Sequence, residues 1–375
     1  MGFVEVALII LNMVKKSITV EVMDYFRHTT NVIVKSLRIP TRQAFTKARE
    51  KISYHAFADL FKKSCELTLL SNDDTRHYKG YRVFAVDGTS FVVGKLKKLS
   101  KFFGESTTIA NKAMCRISAV VDVLNDCIVD AQVAGFCIGE RALAIKQTKA
   151  LKDVKVALYL FDRGYWSPEL VAGIIQNGQK FLMRVAKSAG RAIVRDAQGK
   201  EVVFRRYSFT LPSGITELLL TNLTEEEMSN DELVALYAKR WGAETKYLEL
   251  KDRLQIDKFS GKSENIVLQD IYATLYISNL VAFISFEADE LIKARTAGKG
   301  NKHEQKANRT TCISILRRRF VNICLITNAA QQLAALQCLY DDISRDVVYI
   351  GKSKSRPRNK RQIKASRGRV KKSIL

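Results

Sequence analysis

The chain has 375 residues, is 47% hydrophobic and carries a formal net charge of +24 at pH 7. This length and apolar content suit a buried core in two or three domains and exclude a disordered chain. The excess of Lys and Arg favours a polyanionic partner such as nucleic acid, with an anionic membrane surface or a plain solubility effect as the alternatives. Charge alone names no reaction.

The first segments indicate a helical region in residues 1–78, where apolar residues recur at spacings of three and four. Within it, residues 41–61 resemble the second helix of a helix-turn-helix. The polar side of that helix carries Arg42, Gln43, Lys47, Arg49 and Lys51. Two interpretations stay open: DNA contact through Arg42, Lys47 and Arg49, or an ordinary exposed basic helix.

Two apolar strands are each predicted to end at an aspartate. The β-branched and aromatic run in residues 81–93 is broken at Asp87, which a turn glycine, Gly88, follows. A second apolar strand, in residues 156–166, ends at Asp162. A lone Asp after a strand is commonly a turn residue. Two of them invite comparison with enzymes whose sites lie beyond the carboxyl ends of strands.

The elements around these strands indicate an α/β core. Residues 117–135 are predicted to form a hairpin with its turn at Asn125 and Asp126, and residues 139–153 to form a helix. Alternating strands and helices of this kind are typical of α/β proteins. Residues 186–225 read as short strands joined by Gly-containing turns, which predicts a β-rich insertion.

A long helix is predicted for residues 229–255, beginning at a capping box formed by Ser229 and Glu232. At about 100° per residue, one stripe of this helix combines one carboxylate with a phenol and two cations. Its members are Tyr237, Arg240, Glu244 and Lys251. The stripe suits a metal beside a phosphate, and a solvated charged face is the alternative.

The C-terminal part divides by composition into an apolar helix, a polar linker, a second helical region and a basic tail. The linker is assigned to residues 293–310, the helical region to 311–348 and the tail to 349–375. The tail contains no acid, so we expect it to order only on a polyanion. The seven cysteines lack CxxC pairs, which predicts free thiols in a reducing cytoplasm.

Three carboxylates from separate regions, Asp87, Asp162 and Glu244, are candidates for one pocket. Carboxylates this close repel each other unless cations neutralise them, so the cluster would imply metal. Oxygen ligands favour Mg²⁺ or Mn²⁺ over zinc. Two such ions about 3.5 to 4 Å apart activate an attacking oxygen and stabilise the leaving oxygen of a phosphodiester. Asp87 would bridge both ions, in strand cleavage or strand transfer.

These residues resemble the motifs of bacterial insertion-sequence transposases of the DDE class. The matches are DGT at Asp87, DRGY at Asp162, and the Y-(2)-R-(3)-E-(6)-K spacing of Tyr237, Arg240, Glu244 and Lys251. The resemblance implies a ribonuclease H-like α/β core with a β-rich insertion between N-terminal and C-terminal helical regions. It also implies a Mg²⁺-dependent dimer that moves DNA by cut-and-paste transposition, binding terminal inverted repeats and target DNA.

By the same resemblance, the three acids are the metal ligands, and Tyr237, Arg240 and Lys251 hold the phosphates of the element's ends. The core would comprise residues 79–185 and 226–292, and the protein would be cytoplasmic, acting on the nucleoid without a membrane partner. The region before the first motif is shorter than in full-length members, which suggests N-terminal truncation. A decayed DNA-binding copy and a nuclease without strand transfer are the alternatives.

Some members of that family stack a flipped base on a Trp in the β insertion. In this chain the insertion has no Trp, so Phe204, Tyr207 or Phe209 would replace it, or the hairpin route is not used. Trp241 is expected to pack in the core, with a platform for a stacked base as the alternative.

Overall fold

A seven-stranded mixed sheet, with helices on both faces, forms the centre of the computed structural model. The structure describes residues 1–12, 15–30, 39–70, 75–105, 112–187, 193–211, 213–300 and 303–350. The mixed α/β class predicted from the sequence is therefore confirmed. The basic tail from residue 351 onward lies outside the described residues.

The N-terminal region is helical in its described part, as predicted. Its elements are α1 (Phe3–Leu11), α2 (Ile18–Thr30), α3 (Arg42–Glu50) and α4 (His55–Leu70). Six consecutive residues of α1, numbers 6–11, are buried, and α1 contacts α2, α3 and the long core helix α10 (Glu264–Thr296). This region therefore packs directly on the core.

Arg49 of α3 points into that core and away from solvent. Its side chain is 1% exposed, pairs with Asp270 at 2.7 Å and donates from Nε to Gln269 Oε1 at 2.6 Å. The prediction that Arg49 contacts DNA is wrong, because its guanidinium is buried and already bound to Asp270 and Gln269. Arg42 and Lys47 on the same helix are exposed, so their predicted role stays a prediction.

The strands of the sheet are β1 (Arg82–Gly94), β2 (Ala113–Asp122), β3 (Cys127–Gly135), β4 (Ala157–Phe161), β5 (Lys180–Val185), β6 (Arg205–Thr210) and β7 (Thr216–Thr221). Their order in the sheet is β3-β2-β1-β4-β5-β7-β6. Strands β1, β4 and β5 are parallel, and the remaining pairings are antiparallel. The helices between them are α5 (Lys97–Phe103), α6 (Glu140–Ala150) and α7 (Pro168–Gln176).

Strand β1 does not end at Asp87 as predicted but continues to Gly94. Its second half pairs only with β2, whereas its parallel pairing with β4 stops at Val86 opposite Phe161. Asp87 therefore lies where β1 runs past the end of β4, which is the sheet edge that the prediction required. The hairpin turn after β2 is confirmed, with Asp126 at a φ of 54°.

The β insertion extends the central sheet. Strand β7 pairs antiparallel with β5, and β6 pairs with β7 at the sheet edge. The insertion thus shares the hydrogen-bonded framework of the strands that carry the predicted acids.

The long helix predicted for residues 229–255 is divided into three segments. They are α8 (Asn230–Ala238), α9 (Trp241–Leu248) and a π-helical turn (Glu249–Arg253). The capping box of Ser229 and Glu232 is confirmed. Within α9, a Cβ on Gly242 would lie 2.9 Å from Val123 Cγ1. This close approach to the β2–β3 turn explains a residue of low helix propensity in the helix.

Helix α10 is long and apolar enough to cross a membrane, but 78% of its apolar window is buried inside the protein. It contacts α1, α4, α11 (Arg309–Leu325) and α12 (Ala329–Ser344), as the central helix of a core does. The predicted linker 293–310 is partly structured, since α10 runs to Thr296 and β8 (Gln305–Ala307) pairs with β9 (Val347–Tyr349). Helices α11 (Arg309–Leu325) and α12 (Ala329–Ser344) complete the C-terminal region.

A buried ionic network connects this C-terminal region to α9 and to the β2–β3 turn. Glu249 is paired with Lys246 at 3.1 Å and with Arg309 at 3.0 Å, and Asp126 pairs with both cations. Burial raises the pKa of Glu249, but the two cations outweigh it and lower the value to about 2. The carboxylate of Glu249 therefore stays charged inside the protein, and Asp126 of the β2–β3 turn binds the same two cations.

Candidate active site

Asp87 and Asp162 occupy matching places on adjacent parallel strands, because each directly follows the last residue pair of the β1–β4 ladder. Neighbouring strands lie about 4.8 Å apart. Since alternate residues of a strand share a face, Asp87 shares a face with Ala85, and Asp162 shares one with Leu160. Ala85 and Leu160 belong to the same core cluster, so both aspartates lie on one side of the sheet.

Helix α9 packs on this side and brings Glu244 to the aspartates. Ala243 and Tyr247 of α9 belong to the same core cluster as Ala85 and Leu160. Glu244 raises the pKa of Asp87, so the two carboxylates interact. The structure thus brings the three predicted acids to one region.

Arg240 lies among these acids. It is almost fully buried and donates from Nη2 to Glu244 Oε1 at 3.0 Å. Its charge also lowers the pKa of both Asp87 and Asp162. The buried Nε of Arg240 has no hydrogen-bond partner among the described residues, which leaves one donor available to an anion.

The two aspartates have opposite pKa shifts. Burial raises the pKa of Asp87 to about 6, with Glu244 and Glu140 adding to the effect of burial, while the Gly88 N–H and Arg240 oppose it. The carboxyl of Asp87 accepts the Gly88 N–H at 2.9 Å. Protonation of Asp87 therefore competes with any cation that this group binds near neutral pH.

Asp162 is held ionised by its neighbours. Burial raises its pKa, but the Arg163 N–H at 2.7 Å, Arg240 and Arg184 outweigh burial and lower it. Arg184 of β5 pairs with Asp162 Oδ1 at 2.7 Å and also with Glu217 of β7. The buried Nε of Arg184, like that of Arg240, has no partner within the described part of the chain.

The other predicted phosphate-binding residues border this group. The Tyr237 ring centroid lies 5.8 Å from Arg240 Cζ, and burial raises the pKa of the phenol. Lys251 donates to Thr89 Oγ1, on the strand that carries Asp87. It lies in the π-helical turn, and such turns recur at functional sites. Tyr237 thus lies beside Arg240, and Lys251 lies beside the strand that carries Asp87; their role in binding phosphate stays a prediction.

The acids do not form an assembled metal cluster. Across the ranges that the structure describes, no group of three or more His, Cys, Asp or Glu residues is placed to hold a metal ion. Two of the three acids are instead paired with arginines, Asp162 with Arg184 and Glu244 with Arg240. The available donors are carboxylate oxygens, so their chemistry fits Mg²⁺ or Mn²⁺.

The aromatic residues near the site differ from expectation. Trp241 is 49% exposed at the start of α9, so the prediction that it packs in the core is wrong. It projects outward because the neighbouring Ala243 and Tyr247 supply the buried face of the helix. Arg240 Cζ lies 5.4 Å from the centroid of the Trp241 ring.

The aromatic candidates of the insertion fall into two groups. Phe204 packs edge-on against Trp166 and Phe181, at centroid distances of 6.2 and 5.8 Å, as a core residue does. Tyr207 and Phe209 are half-buried and stack in parallel on edge strand β6, 6.5 Å apart. Of the three, these two stay candidates for base stacking.

Two charged residues of the site, Arg184 and Glu140, are not predicted by the sequence patterns. Arg184 follows apolar residues of β5 and carries no motif, although an arginine in a buried strand is itself a signal of pairing. Glu140 opens α6, and a Cβ on Gly88 would lie 2.9 Å from its Cδ. No local pattern marks Glu140, because its proximity to Asp87 arises from tertiary packing.

Comparison with known proteins identifies the family. A family model described as a transposase DDE domain matches residues 78–280. The chain belongs to this family. The match runs from the start of β1 into α10 and contains Asp87, Asp162 and Glu244. Membership supports a transposase function and a DNA partner, and DDE transposases generally use divalent metal ions.

Among solved structures, the chain is similar to the piggyBac transposase, seen by cryo-EM in a synaptic complex with hairpin DNA. The TM-score is 0.41 at 10% identity, and the alignment covers 90% of this chain and 75% of that chain. No curated protein matches the chain.

Proposed function

We propose that this DDE-family protein is a bacterial insertion-sequence transposase that cleaves DNA at the ends of a mobile element and transfers the strands to target DNA. One observation carries the proposal. Asp87 and Asp162 follow the last β1–β4 residue pair on one face of the sheet, and Glu244 interacts with Asp87 from the helix packed on that face.

The topology supports a ribonuclease H-like core. In the order β3-β2-β1-β4-β5, only β2 runs against the other four strands. This places Asp87, where β1 runs past its pairing with β4, beside the carboxyl end of β4, and a site is expected at such an end. The two insertion strands lengthen the sheet beyond β5 and leave this edge intact.

Asp87, Asp162 and Glu244 would hold Mg²⁺ or Mn²⁺, in the two-ion arrangement of such enzymes. Two bound ions activate an attacking oxygen and stabilise the leaving oxygen of the phosphodiester. Arg184 keeps Asp162 ionised, and Arg240 pairs with Glu244. Both arginines compensate the negative charge of the acids before metal binds.

The phosphates of the element's ends would be held by Arg240 and Lys251, with Tyr237 packed beside Arg240. Support comes from the unpartnered Nε of the buried Arg240, because buried donors are normally satisfied and a phosphate oxygen would satisfy this one. The exposed Arg42 and Lys47 on α3 would add DNA contacts. We further propose a homodimer in the end complex and a cytoplasmic, nucleoid-associated location.

The test is a cleavage assay on terminal-repeat DNA with Mg²⁺. Asp87→Ala, Asp162→Ala and Glu244→Ala should each abolish cleavage while DNA binding persists. Asp153→Ala is the matched control, since Asp153 is an exposed acid just before β4, whose other end meets Asp162. Full cleavage by any of the three site variants would refute the assignment of that acid.

A second candidate function is a DNA-binding protein that no longer cleaves. Two observations favour it. Asp162 and Glu244 form ion pairs with arginines, and the described residues contain no cluster of three carboxylates placed to hold a metal ion. Mg²⁺-dependent nicking of terminal-repeat DNA by the wild-type chain would exclude it. Capture of the cut end by a supercoiled plasmid would exclude a nuclease that does not join strands.

A further inference from the structure

The hydroxyl of Tyr247 makes hydrogen bonds to the backbone of both β1 and β2 beside Asp87. Asp87 and Ala119 face each other in the register of the two antiparallel strands. The Ala119 N–H donates to Tyr247 Oη at 3.0 Å, and Tyr247 Oη donates to the Asp87 carbonyl at 2.7 Å. The oxygen also lies 3.3 Å from the Ile117 carbonyl of β2, so the phenol contacts both strands next to Asp87.

This bridge is buried and belongs to the helix that carries Glu244. Tyr247 is 7% exposed and lies three residues after Glu244, within α9. A hydroxyl both donates and accepts, so one phenol satisfies the N–H of one strand and the carbonyl of the other. A phenylalanine would fill the same space but would remove the hydrogen bonds that connect α9 to both strands.

We propose that Tyr247 is a positioning residue that fixes the backbone of Asp87 relative to Glu244. The inference rests on the proposed function, in which both carboxylates bind metal. Ligands must be held within about 0.5 Å of their productive geometry, so a bridge between the two elements governs whether Asp87 and Glu244 can share an ion. Tyr247 acts through the Asp87 carbonyl and touches neither DNA nor metal.

A purely structural role for the phenol predicts a different result. Loss of a buried hydrogen bond would then lower the melting temperature without changing metal affinity in the folded protein. The positioning role predicts a change of metal affinity at temperatures where the variant is fully folded. The two roles are separated by measuring both quantities on the same protein.

The experiment measures Mn²⁺ binding to the full chain by calorimetry, with circular dichroism to confirm folding. Tyr247→Phe should weaken Mn²⁺ binding about 10- to 100-fold, the range found when partners of metal ligands are removed. Tyr276→Phe should bind Mn²⁺ like the wild type, because it removes a half-buried phenol of α10 that lies near Cys324. Equal affinities of Tyr247→Phe and the wild type would overturn the inference.

Mn²⁺ binding to Asp87→Ala, measured in the same experiment, shows whether only the positioning role of Tyr247 is wrong or the proposed metal site itself. Loss of Mn²⁺ binding in Asp87→Ala, with normal binding in Tyr247→Phe, would leave the metal site standing without the positioning role. Unchanged binding in Asp87→Ala would overturn the metal site and, with it, the inference.

A second measurement uses the wild-type chain, in case Tyr247→Phe does not fold. Mn²⁺ should slow hydrogen exchange at the Ala119 amide, because ligation fixes Asp87 and the phenol transmits this restraint to the N–H. An exchange rate that is the same with and without Mn²⁺ would overturn the coupling.

Discussion

Metal binding should weaken as the pH falls through about 6, because the Asp87 carboxyl has a pKa of about 6. Burial is the main cause, and Glu244 and Glu140 add to it. With this pKa, the group is about nine-tenths ionised at pH 7 and about one-tenth ionised at pH 5. Since a metal binds only the carboxylate, apparent affinity should drop by about tenfold between those values.

The lowered pKa of Asp162 keeps that group ionised between pH 5 and 7, so we assign the drop in metal affinity to Asp87. The assay is Mn²⁺ titration of the wild type and of Asp87→Asn at pH 5, 6 and 7. We expect a step near pH 6 in the wild type and no such step in Asp87→Asn. A wild-type affinity that is constant from pH 5 to 7 would refute the reasoning, as would a midpoint near 4.

The raised pKa of Asp87 also determines how the stability of the fold changes with pH. The folded-state pKa of Asp87 lies above its ordinary value of 3.8, so folding favours the protonated carboxyl. The contribution of this group to stability is therefore present at low pH and is lost as the pH rises from about 4 to 6. Added Mg²⁺ should raise the melting temperature more at pH 7 than at pH 5, since it binds only the folded, ionised form.

Three further predictions concern single residues. Arg240→Gln should weaken binding of terminal-repeat DNA and reduce its salt dependence by about one phosphate contact; an unchanged salt slope in filter binding would exclude phosphate contact. Arg49→Ala should lower the free energy of unfolding by about 3–5 kcal/mol, because Asp270 is left buried and unpaired. Lys47→Ala, at an exposed position of the same helix, should leave denaturant unfolding unchanged. Similar values for both variants would contradict a structural role for the buried ion pair. Gly242→Ala should destabilise by about 1–3 kcal/mol although alanine favours helices, because its Cβ meets Val123; a higher melting temperature would disprove the close contact.

Local sequence patterns predicted the elements of the fold well, because strand and helix periodicity are local properties. The capping box at Ser229 and the hairpin before Asp126 are examples. The end of β1 was misplaced because its second half is extended through pairing with β2, which no local pattern reveals. Arg49 was misread for the same reason, since its partner Asp270 lies 221 residues away in sequence.

Some residues of the candidate site are likewise predictable from local patterns, and others are not. The strand ends and the helical stripe indicate Asp87, Asp162 and Glu244 as candidates for one pocket, and their role as metal ligands stays a prediction. Arg184, which pairs with Asp162, and Tyr247, which bridges to Asp87, could not be inferred. Their roles depend on the order of strands in the sheet and on the rotation of α9, both of which are set by long-range packing.

The ionic network around Glu249 predicts how a shortened copy of this chain would behave. Arg309 reaches Glu249 from α11, downstream of every predicted metal ligand. A stop codon between α10 and α11 would spare all three acids but would remove one of the two cations that keep Glu249 charged in the interior. We therefore expect such a shortened copy to misfold around the π-helical turn that contains Glu249, although its sequence would still contain Asp87, Asp162 and Glu244.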